Sequence, residues 1–164
     1  MPTARELYIL GLKNAHAMEN QAQEILERQI ERMDDYPQVQ AKLREHLDET
    51  RQQLKRLDEC LSNLDESAST VKDTVMAFGS NIAAMAHAAA GDEVLKNTFA
   101  NSALEHYEIA AYKSLMALSR AAGIGAESLL AESLREEENM ASWVDGHVLD
   151  ITNDYLRQKQ TVAA

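Results

Sequence analysis

The sequence predicts an all-α domain: four long helices in an antiparallel bundle, with an additional shorter helix in the crossover. Three observations carry this. The 164 residues include only six Gly and two Pro, too few turn residues for a sandwich or a barrel. Aromatic residues make up 5%, while Ala, Leu, Glu, Gln and Met abound, and these lose little freedom in a helix. Apolar residues recur at steps of three and four over long stretches. The length and the 45% hydrophobic share suit one domain, placed at residues 3–158, with a frayed tail at 159–164.

Each element has a local reason. Thr3 with Glu6 three residues on reads as a capping box, so the first helix starts there and runs to about Arg32. Met18, Ala22, Ile25, Ile30 and Met33 keep its helical spacing. Asp34-Asp35-Tyr36-Pro37 stops it, because a proline disfavours helical backbone in the residue before it and suits a helix start. The second helix covers about 38–64. Its Leu43, Leu47, Thr50, Leu54, Leu57, Leu61 and Leu64 follow steps of 4, 3, 4, 3, 4, 3, a narrow packing seam. Residues 65–70 are polar and loop-like. A third, shorter, Ala-rich helix is expected over 71–89, closed by Gly91 and followed by Asp92 as the next cap. The fourth covers about 93–122 and ends at Gly123-Ile124-Gly125. The fifth covers about 127–156. Helices one and two form one hairpin and helices four and five another. Residues 65–91 are long enough to cross the bundle between them.

Charge and composition exclude several roles. Lys and Arg total 16 against 27 Asp and Glu, a net charge of −11, which opposes nucleic-acid binding. The one cysteine, Cys60, excludes an intramolecular disulfide and a multi-cysteine zinc site and reads as a packing residue. The most apolar stretch, 82–90, is too short to cross a bilayer, and no export signal is visible, so a cytoplasmic location is expected.

The informative signal is acidic residues inside apolar stripes. Positions three, four and seven apart share a helix face. Glu137 shares its face with Leu130, Leu134, Met140, Ala141 and Val144. Glu108 has Leu104, Ala111, Tyr112 and Leu115. Glu19 has Leu12, Ala15, Ala22 and Leu26, with His16 one turn before. In the second helix, Glu49 lies on a strip with Lys42 and Arg56, but His46 one turn earlier has Val39, Leu43 and Thr50 around it. The pair His46-x-x-Glu49 can turn inward at the edge of the leucine seam. An unpaired buried carboxylate costs several kcal/mol, so such groups are paired, protonated or metal-bound.

Register adds an independent argument. Glu19 lies 17 residues before Tyr36 and Glu49 lies 13 after it; Glu108 lies 15 before Gly123 and Glu137 lies 14 after it. At ~1.5 Å per residue, the partners in each hairpin differ in height by a few ångströms. One carboxylate per long helix at matched depth is the arrangement of a ferritin-like dinuclear metal site. Two divalent transition-metal ions would balance four glutamates. An imidazole beside them suits iron, with manganese or zinc as alternatives. The competing reading is a metal-free helical scaffold or partner-binding dimer whose inward acids pair with Arg, Lys or His. His87 and His147 read as structural or exposed, and the Met and Leu stripes as core.

Four short stretches then carry a resemblance. Ala15-His16-Ala17-Met18-Glu19, His46-Leu47-Asp48-Glu49-Thr50, Glu105-His106-Tyr107-Glu108-Ile109-Ala110 and Glu136-Glu137 resemble the YciE/YciF family of bacterial stress-associated ferritin-like proteins. The resemblance spans about residues 5–155, and the His-Ala-Met-Glu run and Asp34-Asp35-Tyr36-Pro37 look closer to the YciE branch. It implies an all-helical ferritin-like subunit, a homodimer rather than a hollow cage, with a dinuclear metal site; the function expected from the site is iron or peroxide chemistry under stress. Carried over residue by residue, the metal ligands are Glu19, His46, Glu49, Glu105, Glu108 and Glu137. Glu19 and Glu137 are expected as terminal or bridging ligands, with Glu49 and Glu108 completing the set. His46 is the nitrogen ligand, Glu105 is held in reserve, and His16 stands behind the ligands. One departure stands out. Well-studied ferritin-like oxidases use Glu-x-x-His on two helices, whereas here the second helix has His-x-x-Glu and Met140 sits where the other His would fall.

Overall fold

The computed structural model describes residues 1–68 and 92–163. Four helices are present among them: α1 (Ala4–Ile30), α2 (Pro37–Ser62), α3 (Glu93–Ala121) and α4 (Glu127–Ala163). No strand occurs among the described residues, and no helix there is long and apolar enough to cross a membrane. The expected shorter helix over 71–89 lies outside the described residues.

The helix boundaries follow from local chemistry. Thr3 and Glu6 form the expected capping box, each side chain accepting the other's backbone N–H, which satisfies two otherwise orphaned donors. Pro37 opens α2 in its first turn. Between α3 and α4, Gly123 takes φ +68° and Gly125 φ +79°, a left-handed conformation that glycine adopts without a Cβ clash. The Ile124 N–H reaches back to the Ser119 carbonyl at 3.0 Å. The Ser119 hydroxyl accepts from the Ala126 N–H at 3.0 Å. One boundary differs from expectation. α4 does not end near Leu156 but continues to Ala163. One tertiary contact reaches this end, the Gln158 amide donating to the Asp35 carbonyl at 2.9 Å, and within the helix the Lys159 ammonium lies 5.5 Å from the centre of the Tyr155 ring.

Contacts between helices fix the topology. Lys13 with Glu66 and Glu27 with Arg51 set α1 antiparallel to α2. The Gln29 and Asn101 amides bond each other reciprocally, at 3.0 and 2.9 Å, and Tyr112 meets Glu19, so α3 runs antiparallel to α1. Arg56 with Glu132 and Lys113 with Glu138 place α4 antiparallel to both α2 and α3. α2 and α3 therefore run in the same direction, so the end of α2 and the start of α3 lie at opposite ends of the bundle, as in ferritin-like connectivity. At Gly11 the helices α1 and α3 come close: a Cβ there would lie 2.8 Å from Leu115 Cδ2.

The core is layered along the bundle axis. One apolar layer gathers Tyr8, Leu12, Leu57, Leu61, Leu115 and Leu130. A second, towards the other end, gathers Leu26, Ile30, Leu43, Leu47, Met140 and Val144. Between them, all four helices present polar side chains to the interior. Glu19, His46, Thr50, Gln53, Glu105, Glu108 and Glu137 are all buried there.

Candidate metal centre

Each helix supplies part of this polar layer by its own spacing. Glu19 is carried in by the Leu12–Ala15–Ala22–Leu26 stripe of α1 and is fully buried. α3 contributes two acids one turn apart, Glu105 and Glu108, both 1% exposed. α4 contributes Glu137, also fully buried. α2 contributes His46 at 2% exposure.

The geometry is that of a ligand cage. His46, Glu105, Glu108 and Glu137 each offer a donor atom, and these four atoms lie within 4.8 Å of one another. His46 Nε2 stands 3.3 Å from Glu105 Oε2 and 3.5 Å from Glu137 Oε2. Its other nitrogen, Nδ1, is 2.9 Å from Glu49 Oε2. A carboxylate on the far nitrogen fixes which way the ring faces, as it does for many metal-bound histidines. Glu19 borders the four; its Oε1 accepts from the Tyr112 hydroxyl at 2.7 Å. The Gln53 amide donates to Glu137 Oε1, in a short contact, and to Glu136 Oε2 at 3.0 Å.

The electrostatics are those of too many buried acids. Burial, together with the neighbouring acids, pushes the Glu19 carboxyl up to about 8. Burial also raises Glu108 and Glu137 well above the usual carboxylate range, and the surrounding glutamates add to it. For His46, burial opposes the charge, but Glu105, Glu49 and Glu137 outweigh it and hold the imidazole well above its ordinary value. Burial, then the Glu19 charge, raises the Tyr112 phenol, so it stays a donor. One imidazolium cannot balance four carboxyls. The protein's own donors do not fill the gap: Glu19 Oε2, Glu105 Oε2, both Glu108 oxygens and Glu137 Oε2 are buried without a hydrogen bond. Buried polar atoms are almost always bonded, so three carboxylate oxygens with no partner, beside two that have only the His46 ring at 3.3 and 3.5 Å, fit a cation. The donor set, several oxygens and one borderline nitrogen, suits iron, manganese or zinc.

The expected residues separate on inspection. Glu108, Glu137 and His46 meet in the cage, and Glu19 lies beside it. Glu105, held in reserve on sequence grounds, is one of the four. Glu49, expected to complete the ligand set, is outside it: its side chain is 24% exposed and bonds the far side of the His46 ring. Three residues on from His46, it is rotated towards the strip that carries Lys42 and Arg56. His16 turns away from the centre altogether. Its Nε2 is 3.1 Å from Asp58 and its Nδ1 is 3.0 Å from the Asn20 amide. Gln53 was missed: it lies seven residues from His46 and so shares its face, but it stands beside the leucine seam and not in it. Cys60 packs in the first apolar layer, as expected, and His147 stacks on Trp143.

Four long helices in this connectivity around a buried carboxylate and histidine cage define a ferritin-like protein. The chain belongs to the family described as a domain of unknown function, DUF892, whose model matches residues 3–157. Solved structures agree. A protein of Xanthomonas campestris pv. campestris is 31% identical over 96% of this chain and 99% of that one, with a TM-score of 0.82. YcfI from Rhodopseudomonas palustris is 26% identical over 88% and 94%, TM-score 0.77. The E. coli stress protein YciF shares the fold at 24% identity over 93% and 99%, TM-score 0.78. The YciE/YciF-like resemblance in the sequence is thus met at the level of the family.

Proposed function

We propose that this chain is a ferritin-like metal-binding protein that holds two divalent transition-metal ions, iron in the first place, and takes part in iron or peroxide chemistry under stress. We further propose that it works as a cytoplasmic homodimer. The observation that carries the metal reading is the set of five buried carboxylate oxygens without hydrogen bonds around His46. The stress association and the dimer rest on the family resemblance.

In this reading Glu105, Glu108, Glu137 and His46 bind the ions, and Glu19 joins them from α1. Glu49 holds the His46 ring with Nε2 inward, and the Tyr112 hydroxyl holds the Glu19 carboxyl in place. The leucine layers above and below exclude water and strengthen every charge interaction between them. When bound, ferrous ions would supply electrons to oxygen or peroxide. The second reading, a metal-free scaffold, draws on the same His46 contacts, in which the ring pairs with Glu49, Glu105 and Glu137.

Elemental analysis of protein purified without chelator separates the two. The expected content is about two transition-metal ions per chain, as in other dinuclear bundles. Trace metal only, with no uptake of Fe(II), Mn(II) or Zn(II) on titration, establishes the scaffold instead. Light scattering tests the dimer: about 37 kDa is expected, twice the 18.3 kDa chain. A mass of several hundred kilodaltons means a shell and moves the reading to storage.

A further inference from the structure

Leucine layers close the centre at both ends, so a cation has to reach it along polar side chains. Among the described residues, hydrogen bonds link the surface to the cage along two polar lines in particular. The first is Glu49 to His46, and it is blocked by the imidazole itself, a ring 2% exposed that fills its own space. The second lies on the seam between α2 and α4, which pack less closely than the other neighbouring pairs.

Exposure falls stepwise along that seam. The Glu132 side chain is 50% exposed, Glu136 is 18% and Arg56 13%, while Gln53 and Glu137 are fully buried. Hydrogen bonds connect every step. Arg56 grips Glu136 with both ends of its fork, Nη1 to Oε2 at 2.7 Å and Nη2 to Oε1 at 2.8 Å. The same guanidinium reaches Glu132 Oε1 at 2.8 Å and the Ser133 hydroxyl at 3.2 Å. Gln53 then bridges Glu136 to Glu137. The Gln53 Oε1 atom is buried with no hydrogen-bond partner, which leaves a free carbonyl oxygen between the surface pair and the cage. A divalent cation is served by what this line offers: two carboxylates, an amide oxygen, then a carboxylate of the cage.

We infer that this line is the entry route of the divalent cation, with Glu132 and Glu136 as its transit site and Arg56 as the latch that keeps it shut. The inference rests on the proposed metal centre. Arg56 neutralises the two carboxylates that an incoming ion needs, and a divalent ion offers them twice the charge of the guanidinium it displaces. The guanidinium fork makes the latch specific, because a lysine ammonium binds as a point and cannot hold both Glu136 oxygens in the same way.

The test is the rate at which metal-free protein takes up cobalt(II), followed by visible absorbance after rapid mixing. Arg56→Gln should load about tenfold faster than wild type, the scale of one charge-assisted bidentate contact. Arg56→Lys, which keeps the charge and loses the fork, should fall between the two. Arg51→Gln removes an equal charge from the surface pair with Glu27 and Asp48 and should load at the wild-type rate. Equal rates for wild type, Arg56→Gln and Arg56→Lys overturn the route, and so does an acceleration in Arg51→Gln as large as in Arg56→Gln. Should Arg56→Gln fail to fold, Arg56→Lys against wild type decides alone. Wild-type protein that takes up no cobalt even at equilibrium overturns the metal centre and the route with it, so the two failures are told apart.

Discussion

The layer around Leu57 and the layer around Glu108 are closed to water to the same degree, 0% and 1% exposed, and they do opposite things. Leu57 sits among Leu12, Leu61 and Leu130, side chains that apolar contact alone satisfies. Glu108 sits among Glu19, Glu105 and Glu137, where burial and mutual repulsion both oppose the charged form. The first layer stabilises the fold under any condition. The second stabilises it only when its charges are removed by protons or balanced by metal. Equal burial therefore says little about energy until the chemistry of the buried atoms is counted.

That contrast can be broken most directly in the apolar layer. Leu57→Ala should cost about 2–5 kcal/mol, with or without metal, because the loss is a cavity and a transfer term. Thermal melts of the metal-free and metal-loaded protein measure it, and a cost that depends on metal would merge the two layers into one unit.

Metal should act on the second layer alone. Binding to the folded state at a hundredfold excess over Kd adds about 2.7 kcal/mol, or roughly 5–10 °C in Tm for a chain of this size. An unchanged melting curve in excess Fe(II), Mn(II) or Zn(II) favours the scaffold.

Proton dependence sharpens the same comparison. The folded state holds Glu19 protonated up to about 8, against 4.5 for an ordinary carboxyl, and Glu108 and Glu137 shift the same way. The folded protein thus binds more protons than the unfolded chain across that window. Stability from these groups is full below about 4.5 and is lost as pH rises through about 8, by up to about 1.4 kcal/mol per carboxyl for each pH unit. Melts of metal-free protein between pH 5 and pH 9 should show Tm falling. Metal binding should release protons and tighten with pH.

The smallest expected effect separates the acids from one another. Both Glu108 oxygens lack a partner, so Glu108→Gln relieves repulsion and should raise metal-free stability by ~1 kcal/mol at pH 8 and leave it unchanged at pH 5. Its metal affinity should fall. Glu19→Ala differs, because it strips the Tyr112 hydroxyl of its acceptor, and its relief should be smaller. A destabilised metal-free Glu108→Gln at pH 8 means that this carboxylate is paired with a cation.

Much of this was legible in the chain. The Thr3 cap, the Pro37 start and the Gly123-Ile124-Gly125 turn are local devices, each set by the backbone preferences of one or two residues, and the structure has them where the sequence puts them. Glu19, Glu108 and Glu137 were legible because an acid in an apolar stripe contradicts its own helix. The roles of Glu49 and Glu105 were not. Spacing assigns a residue to a helix face, and both lie at the edge of one, where a few tens of degrees of helix rotation decide between cage and surface.

The sequence by itself determined the four long helices, their breaks and the presence of buried acids, since these follow from periodicity and capping within each segment. Only the tertiary structure decided which acids meet. It brought Glu105 into the cage, set Glu49 behind His46, turned His16 to Asp58, and joined Gln53 to Glu136 and Arg56 across the α2–α4 seam. Near the end of α4 it also set Gln158 on Asp35. The physical reason is that, apart from Glu49 on His46, these contacts link residues from 42 to 123 positions apart. Their geometry depends on the relative rotation and height of different helices, which no single helix's spacing encodes.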